Sequence, residues 1–134
     1  MTKYSLNDDK KVIAVDFDGT LCENKFPQIG EPNLLLIGIL LELQKSGHKI
    51  VLWTCRSGEM LDDAINFCKS LGLEFDAVNS NISERIEKFG NDPRKIGADI
   101  YIDDKCVHPS TISKYFVQSI IDDTQKFTAD CSII

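Results

Sequence analysis

The sequence lacks the features of a membrane, secreted or nucleic-acid-binding protein. No apolar run among its 134 residues approaches the roughly 20 residues of a membrane-spanning helix. The polar start, residues 1–11, has no apolar signal-peptide core. The net charge of −6 disfavours nucleic acid as a partner, because nonspecific binding to phosphates relies on Lys and Arg. These absences predict a cytoplasmic protein with no membrane partner.

The cysteines also lack the spacing of a structural site. They number five, and no two stand in a C-x-x-C pair, so neither a disulfide framework nor a zinc site is indicated. We therefore expect reduced thiols, as in the cytosol. No histidine lies near Cys22 or Cys55 in the sequence, which disfavours a catalytic thiol, because a reactive thiol needs a partner that lowers its pKa.

Short apolar runs alternate with helical patterns, and this alternation predicts an α/β fold with a mostly parallel sheet covered on both faces. Five strands are expected, at 11–16, 49–54, 75–79, 99–103 and 115–121. Helices are expected at 31–46 and 57–71, with a helical turn at 83–89. The prediction is one Rossmann-like, three-layer domain over 1–134, in which 122–134 forms a frayed tail or a terminal helix.

Three of these strands end in residues that can carry chemistry. The first ends in Asp16-Phe17-Asp18-Gly19-Thr20, the second in Thr54 and the fourth in Asp103-Asp104. The carboxyl ends of parallel strands form the binding edge of such sheets. A single aspartate there is often only a turn residue, but four neighbouring carboxylates repel one another unless a cation or proton intervenes. Such an oxygen-rich cluster suits Mg²⁺.

These residues resemble the motifs of the haloacid dehalogenase-like (HAD) phosphatases. The segment 16–21 (DFDGTL) resembles their first motif and Thr54, after an apolar strand, their second. Lys95 resembles the third motif and Asp103-Asp104 the fourth. The match covers about residues 11–107 of this chain. Stretches such as Leu-Trp-Thr-Cys-Arg and Tyr-Ile-Asp-Asp-Lys resemble a small, capless subgroup of bacterial or phage proteins.

The resemblance implies a Mg²⁺-dependent phosphatase that hydrolyses a phosphate monoester through an aspartyl-phosphate. Asp16 would be the nucleophile, and Asp18 would protonate the leaving oxygen and later activate water. Mg²⁺ would be bound by Asp16, the backbone carbonyl of Asp18 and Asp103. Asp104 would hold a metal-bound water or orient Lys95, whose charge would neutralise the nucleophile and the transferring group.

The resemblance also implies which groups bind the phosphate of the substrate. These are the hydroxyl of Thr54 and backbone N–H groups in the turns at Gly19-Thr20 and Cys55-Arg56. The side chain of Arg56 has two alternative roles, contact with the phosphate or an ion pair with a surface acid.

Several assignments stay open at this point. Arg94 and Lys88 are the alternatives to Lys95 as the third-motif cation. Asn79 and Asn81, after the third predicted strand, either line the rim of the site or form the loop, as Asn commonly does.

The intervals between the motifs are too short for a cap domain. The segment 21–30 is therefore the expected lid, with Phe26 as its apolar contact, unless a second subunit closes the site. An open site could admit a macromolecular phosphate, but the net charge of −6 argues against long nucleic acid, so we expect a small phosphorylated substrate. The sequence leaves the identity of that substrate and the oligomeric state open.

Three other functions compete with this prediction. A nucleotidase or a phosphotransferase would use the same mechanism. A receiver-like signalling module also combines acids, Mg²⁺, Thr and Lys, but carries its phospho-acceptor aspartate after the third strand, where this chain has Asn79. A non-catalytic phosphate- or metal-binding protein would be expected to have lost a key residue, yet all are present.

Overall fold

The computed structural model describes the backbone of residues 10–131 and the side chains of residues 10–122. These residues form two compact units, one ending at Asp104 and the other beginning at Lys105. The elements of the first unit are β1 (Val12–Val15), β2 (Cys22–Lys25), β3 (Gln28–Pro32), α1 (Leu34–Lys45), β4 (Lys49–Leu52), α2 (Gly58–Ser70), β5 (Ala77–Val78), α3 (Ser83–Phe89) and β6 (Ile100–Ile102). The second unit contains a 3₁₀ turn (Pro109–Thr111) and α4 (Lys114–Cys131).

Four strands form one parallel sheet in the order β5-β4-β1-β6. Val15 is level with Leu52 on one side and with Ile102 on the other, so three strands end together. The chain leaves β1 for β4 and β5, then returns to β6 on the other side of β1. Strand order therefore reverses between β1 and β6, the place where such sheets bind ligands. The predicted α/β class with a parallel sheet is confirmed.

The central strands β1 and β4 are buried on both faces, which is why they are almost entirely apolar rather than alternating. All four residues of β1 are buried. One face carries Ile13, Val15, Ile50 and Leu52, which pack with buried side chains of α1 and α2. The opposite face carries Val12 and Val51, which pack against Ile82 and Ile96. The result is a three-layer unit, in which the second outer layer is the start of α3 and the loop that follows it.

The first helix begins at Leu34, three residues after the start predicted at 31. Pro32 ends β3, and Asn33 caps α1 by accepting a hydrogen bond from the N–H of Leu36 at 3.1 Å. A side-chain acceptor at this position satisfies one of the unpaired N–H groups of the first turn. The segment 21–30, predicted to be the lid, lies mostly in an antiparallel hairpin, β2–β3.

The predicted fifth strand at 115–121 is wrong, because this segment is the first half of α4. A short run rich in Val and Ile does not by itself distinguish a strand from a helix. Val117, Ile120 and Ile121 also have helical spacing, and the hydroxyl of Ser113 accepts from the N–H of Phe116 at 3.3 Å. The tail predicted at 122–134 is helical as far as Cys131, and 132–134 lie outside the described residues. Among the described helices, none combines the length and apolar character needed to cross a membrane.

Candidate active site

Three of the four carboxylates predicted to form one site do lie together, whereas the fourth, that of Asp18, is bound by Arg56. Asp16 directly follows β1 and Asp103-Asp104 follow β6, which is its hydrogen-bonded neighbour. The N–H of Asp16 donates to the carbonyl of Ile102 at 2.9 Å, so the strand pairing continues into the site. Carboxylate oxygens of Asp16, Asp103 and Asp104 all lie within 4.8 Å of one another.

Asp16 carries the clearest electrostatic signature of this cluster. Burial is the largest influence on its pKa, which rises from the ordinary value of 3.8 to about 6. A hydrogen bond from the N–H of Phe17 acts in the opposite direction, and the neighbouring Asp103 and Asp104 raise the pKa further. A divalent cation among the three carboxylates would remove this repulsion. The all-oxygen donor set fits Mg²⁺.

The turn after β1 is joined to the end of β6 through Thr20. Its buried hydroxyl donates to Oδ2 of Asp16 at 3.3 Å and accepts from the N–H of Asp104 at 3.1 Å. The carbonyl of Thr20 accepts from the side chain of Asn33 at 3.2 Å. Thr20, expected near the phosphate, therefore holds two of the three acidic residues in place in this structure.

Gly19 allows the carboxylate of Asp104 to approach the same turn. Its φ is +85°, and a Cβ at this position would lie 2.9 Å from Cγ of Asp104 and closer still to Oδ2. Only glycine combines this backbone conformation with so small a volume. The N–H of Gly19, predicted to bind phosphate, donates instead to the carbonyl of Cys22 at 2.9 Å.

Thr54 follows β4, the other neighbour of β1. Its N–H donates to Oδ1 of Asn79 at 2.8 Å, and its hydroxyl accepts from the N–H of Arg56 at 3.1 Å. The hydroxyl retains its own proton, which it can donate to a ligand. Asn79 has a φ of +52°, which is typical of a loop residue, the second of its two alternatives. Its hydrogen bond from Thr54 also positions that residue.

The two cysteines that flank the motifs differ in exposure. Cys22 is buried and Cys55 is exposed, and neither forms a disulfide. Burial raises the pKa of the Cys22 thiol, which disfavours a thiolate nucleophile at that position.

Asp18 and Arg56 form a bidentate ion pair that sequence reasoning missed. Nε and Nη2 of Arg56 donate to the two carboxylate oxygens of Asp18, each at 2.8 Å. Hydrogen bonding to Asp18 raises the pKa of Arg56. The two residues are 38 positions apart, so no local pattern indicates the pair. Arg56 therefore forms an ion pair, one of its two alternatives, but its partner is the motif residue Asp18 and not a surface acid.

Lys95 is exposed, and its ammonium lies 5.8 Å from the centre of the Tyr101 ring. The hydroxyl of Tyr101 donates to the carbonyl of Ile96. The buried Asn81 accepts from the N–H of Gly97 at 2.6 Å. Asn81 is therefore a loop residue, the second of its two alternatives, and it holds the loop that carries Lys95 against the sheet.

The other two candidate cations are exposed as well. The ammonium of Lys88 lies 5.4 Å from the ring of Phe89, and Arg94 adjoins Lys95 on the same loop. The choice of Lys95 over Arg94 and Lys88 stays a prediction.

Comparison with known proteins provides one informative relative. No protein-family model matches the chain, and no curated protein was found to be similar to it. Among solved structures, the chain is similar to a conserved protein from Bacteroides thetaiotaomicron. The two are 38% identical, with a TM-score of 0.66, and the match covers 92% of this chain and 98% of that chain.

Proposed function

We propose that this chain, which belongs to the same family as the conserved protein from Bacteroides thetaiotaomicron, is a Mg²⁺-dependent phosphohydrolase of the HAD type. Its substrate would be a small phosphate monoester. The observation that carries the proposal is the cluster of Asp16, Asp103 and Asp104, whose carboxylate oxygens lie within 4.8 Å of one another at the point where strand order reverses. Asp18 follows two residues after the proposed nucleophile.

The donor chemistry of this cluster supports Mg²⁺ as the cofactor. Asp16, Asp103 and Asp104 would supply carboxylate oxygens and Asp18 its backbone carbonyl. Burial is the largest cause of the raised pKa of Asp16, and the neighbouring Asp103 and Asp104 raise it further, so a cation among the three carboxylates would relieve their repulsion. When bound, Mg²⁺ would neutralise charge on the phosphoryl group, which is the main requirement of phosphoryl transfer.

In the first half of the proposed reaction, a carboxylate oxygen of Asp16 forms a bond to phosphorus. The bond between phosphorus and the leaving oxygen breaks, and its electron pair stays on that oxygen. Asp18 supplies the proton that the leaving oxygen needs, which requires one of its oxygens to carry a proton in place of its hydrogen bond from Arg56. The product of this half is an aspartyl-phosphate and a free alcohol.

In the second half, Asp18 takes a proton from a water molecule, whose oxygen attacks the phosphorus. The bond to Asp16 breaks and inorganic phosphate is released. Thr54 contributes its hydroxyl proton to a phosphate oxygen. Lys95 is proposed as the cation beside the transferring group, which requires its ammonium to leave the ring of Tyr101.

A cytoplasmic location is part of the proposal, because the cysteines have neither the number nor the spacing of a disulfide framework. Nucleic acid is disfavoured as a partner by the net charge of −6.

The test is hydrolysis of a panel of phosphate esters with Mg²⁺ and then with excess chelator. The panel contains p-nitrophenyl phosphate, nucleotides, sugar phosphates and a 3′-phosphorylated oligonucleotide. Turnover should depend on the metal and be abolished by Asp16→Asn. Asp99→Asn is the matched control, since Asp99 lies at the amino end of β6 and accepts a hydrogen bond from Val12 that an amide oxygen can also accept.

The same panel separates the competing functions. A rate that is highest on nucleotides would favour a nucleotidase, and transfer to an alcohol acceptor would favour a phosphotransferase. Stoichiometric labelling of Asp16 without turnover would favour a receiver-like module. A folded protein that turns over no ester and binds neither Mg²⁺ nor beryllofluoride would contradict the proposal.

A further inference from the structure

We infer that Arg56 is a positioning residue that couples the hairpin β2–β3, called here the flap hairpin (residues 22–32), to the side chain of Asp18. The inference deepens the proposed function and rests on it for the role of Asp18. In this arrangement the position of the flap hairpin and the orientation of the proposed acid–base group are set together.

Arg56 bonds to three parts of the fold at once. Two of its five N–H donors go to Asp18, as described above. Two others donate to backbone carbonyls at the tip of the flap hairpin, those of Pro27 at 3.2 Å and Gln28 at 2.9 Å. The last donates to the carbonyl of Met60 in α2 at 3.3 Å. All five donors of the guanidinium therefore have partners within the protein.

Two aromatic rings complete the environment of the guanidinium. Its central carbon lies 5.0 Å from the centre of the Phe17 ring and 5.1 Å from that of Phe26. Phe17 is fully buried, whereas Phe26, at the flap tip, is 55% exposed. Stacking of a cation on an aromatic face is favourable within about 6 Å. The flap tip thus contacts the guanidinium through one side chain as well as two carbonyls.

This environment makes the flap hairpin and Asp18 interdependent. Only 1% of the Arg56 side chain is exposed, and a buried charge that loses its partners is strongly unfavourable. If the flap tip moves away, Arg56 loses two acceptors and one ring together and has to reorient. The bidentate pair has a single planar geometry, so a reoriented guanidinium no longer holds the carboxylate of Asp18 in its present direction.

The first test does not require enzymatic activity. Amide hydrogen exchange is measured over residues 26–30 in the unmodified chain and in Asp18→Asn, which keeps the shape of the side chain and removes its charge. Exchange at the flap tip should become at least fivefold faster. Asp99→Asn, which changes the acid of another Arg–Asp ion pair, should leave the flap tip unchanged. Equal exchange in the unmodified chain and Asp18→Asn would overturn the inference.

The second test is kinetic and uses p-nitrophenyl phosphate, or another ester on which the unmodified chain is active. Arg56→Lys keeps the charge, but an ammonium cannot form the bidentate pair. We expect kcat to fall at least tenfold and KM to change less than threefold. Arg85→Lys is the matched control, because Arg85 pairs with Asp99 at 2.9 Å, and both its constants should stay within twofold. A loss confined to KM would count against a positioning role.

A double-mutant cycle distinguishes coupling from a purely structural contribution. Phe26→Ala removes the ring from the guanidinium and leaves Arg56 in place, so it remains informative if Arg56→Lys does not fold. It should lower kcat in the unmodified background and have no further effect in Asp18→Asn, because the effect passes through Asp18. Additive effects in the cycle would refute the coupling. If the unmodified chain hydrolyses no ester and binds neither Mg²⁺ nor beryllofluoride, the proposed function fails, and hydrogen exchange alone decides the inference.

Discussion

Replacement of Gly19 by alanine should separate the effect of backbone strain from the effect of moving Asp104. At Gly19 an alanine would meet both a φ of +85° and the carboxylate of Asp104. Gly72 is the matched position, with a φ of +92° and no atom within 4 Å of an added Cβ. Gly72→Ala therefore reports the strain alone.

The two variants should lose similar stability in the absence of metal. A left-handed conformation costs a residue with a Cβ about 1–2 kcal/mol relative to glycine, and both variants incur this cost. In Gly19→Ala the distance between the added Cβ and Cγ of Asp104 also has to increase by at least half an ångström to reach ordinary van der Waals contact. The carboxylate is the end of a rotatable side chain, so it can turn away from Asp16 at little further cost. That rotation removes an oxygen from the proposed metal site.

The difference should appear when Mg²⁺ is added. At a concentration of 100 times Kd, a bound metal stabilises the fold by about 2.7 kcal/mol, and a tenfold weaker site lowers this gain to about 1.4 kcal/mol. Urea unfolding with Mg²⁺ and with excess chelator measures the gain directly. Gly72→Ala should keep the gain of the unmodified chain, and Gly19→Ala should lose about half of it or more. Equal gains in the two variants would refute the proposed role of Asp104.

Three further predictions concern single side chains. Asp16→Asn should yield a folded protein with turnover reduced by several orders of magnitude, because an amide is a poor nucleophile; near-normal turnover would exclude the proposed mechanism. The pKa of Asp16 is raised from 3.8 to about 6 in the folded protein, so ionisation of this group disfavours the fold. In excess chelator, the unmodified chain should therefore lose about 1–2 kcal/mol of stability relative to Asp16→Asn as the pH rises through this range. Parallel pH profiles in urea unfolding would contradict this. Asn81→Ala should destabilise the first unit by about 2 kcal/mol, because the N–H of Gly97 loses its acceptor and Asp92 loses the side-chain donor while keeping the backbone one. A change in urea midpoint equivalent to under about 0.5 kcal/mol would show that the loop 92–97 is held by other contacts.

The sheet could be predicted because its determinants are local. Val and Ile dominate the runs that became β1 and β4, and helical spacing in 34–43 marked α1. The error at 115–121 has the same origin, since a short apolar run satisfies both the strand pattern and the helix pattern. In this case the residues form the helix that continues to Cys131, and nothing within the segment itself indicates that continuation.

The candidate site was predictable as far as topology alone determines it. Parallel strands end at one edge, so residues that follow β1 and β6 meet wherever these two strands are neighbours. The finer contacts depend on loops that have no repeating pattern. Thr20 between Asp16 and Asp104, and Asn79 on the N–H of Thr54, are contacts between separate turns, and each turn carries residues that are equally common in turns without function.

The sequence by itself determined the α/β class, the approximate positions of four strands and the acidic residues that follow β1 and β6, because periodicity and residue type act over short distances along the chain. Only the tertiary structure decided that Arg56 faces Asp18 across 38 residues and that its remaining donors bind the flap hairpin and α2. The physical reason is that a buried guanidinium has to satisfy five donors and one charge simultaneously. Its partners are chosen by the three-dimensional arrangement of carbonyls and carboxylates that the packed strands and loops create.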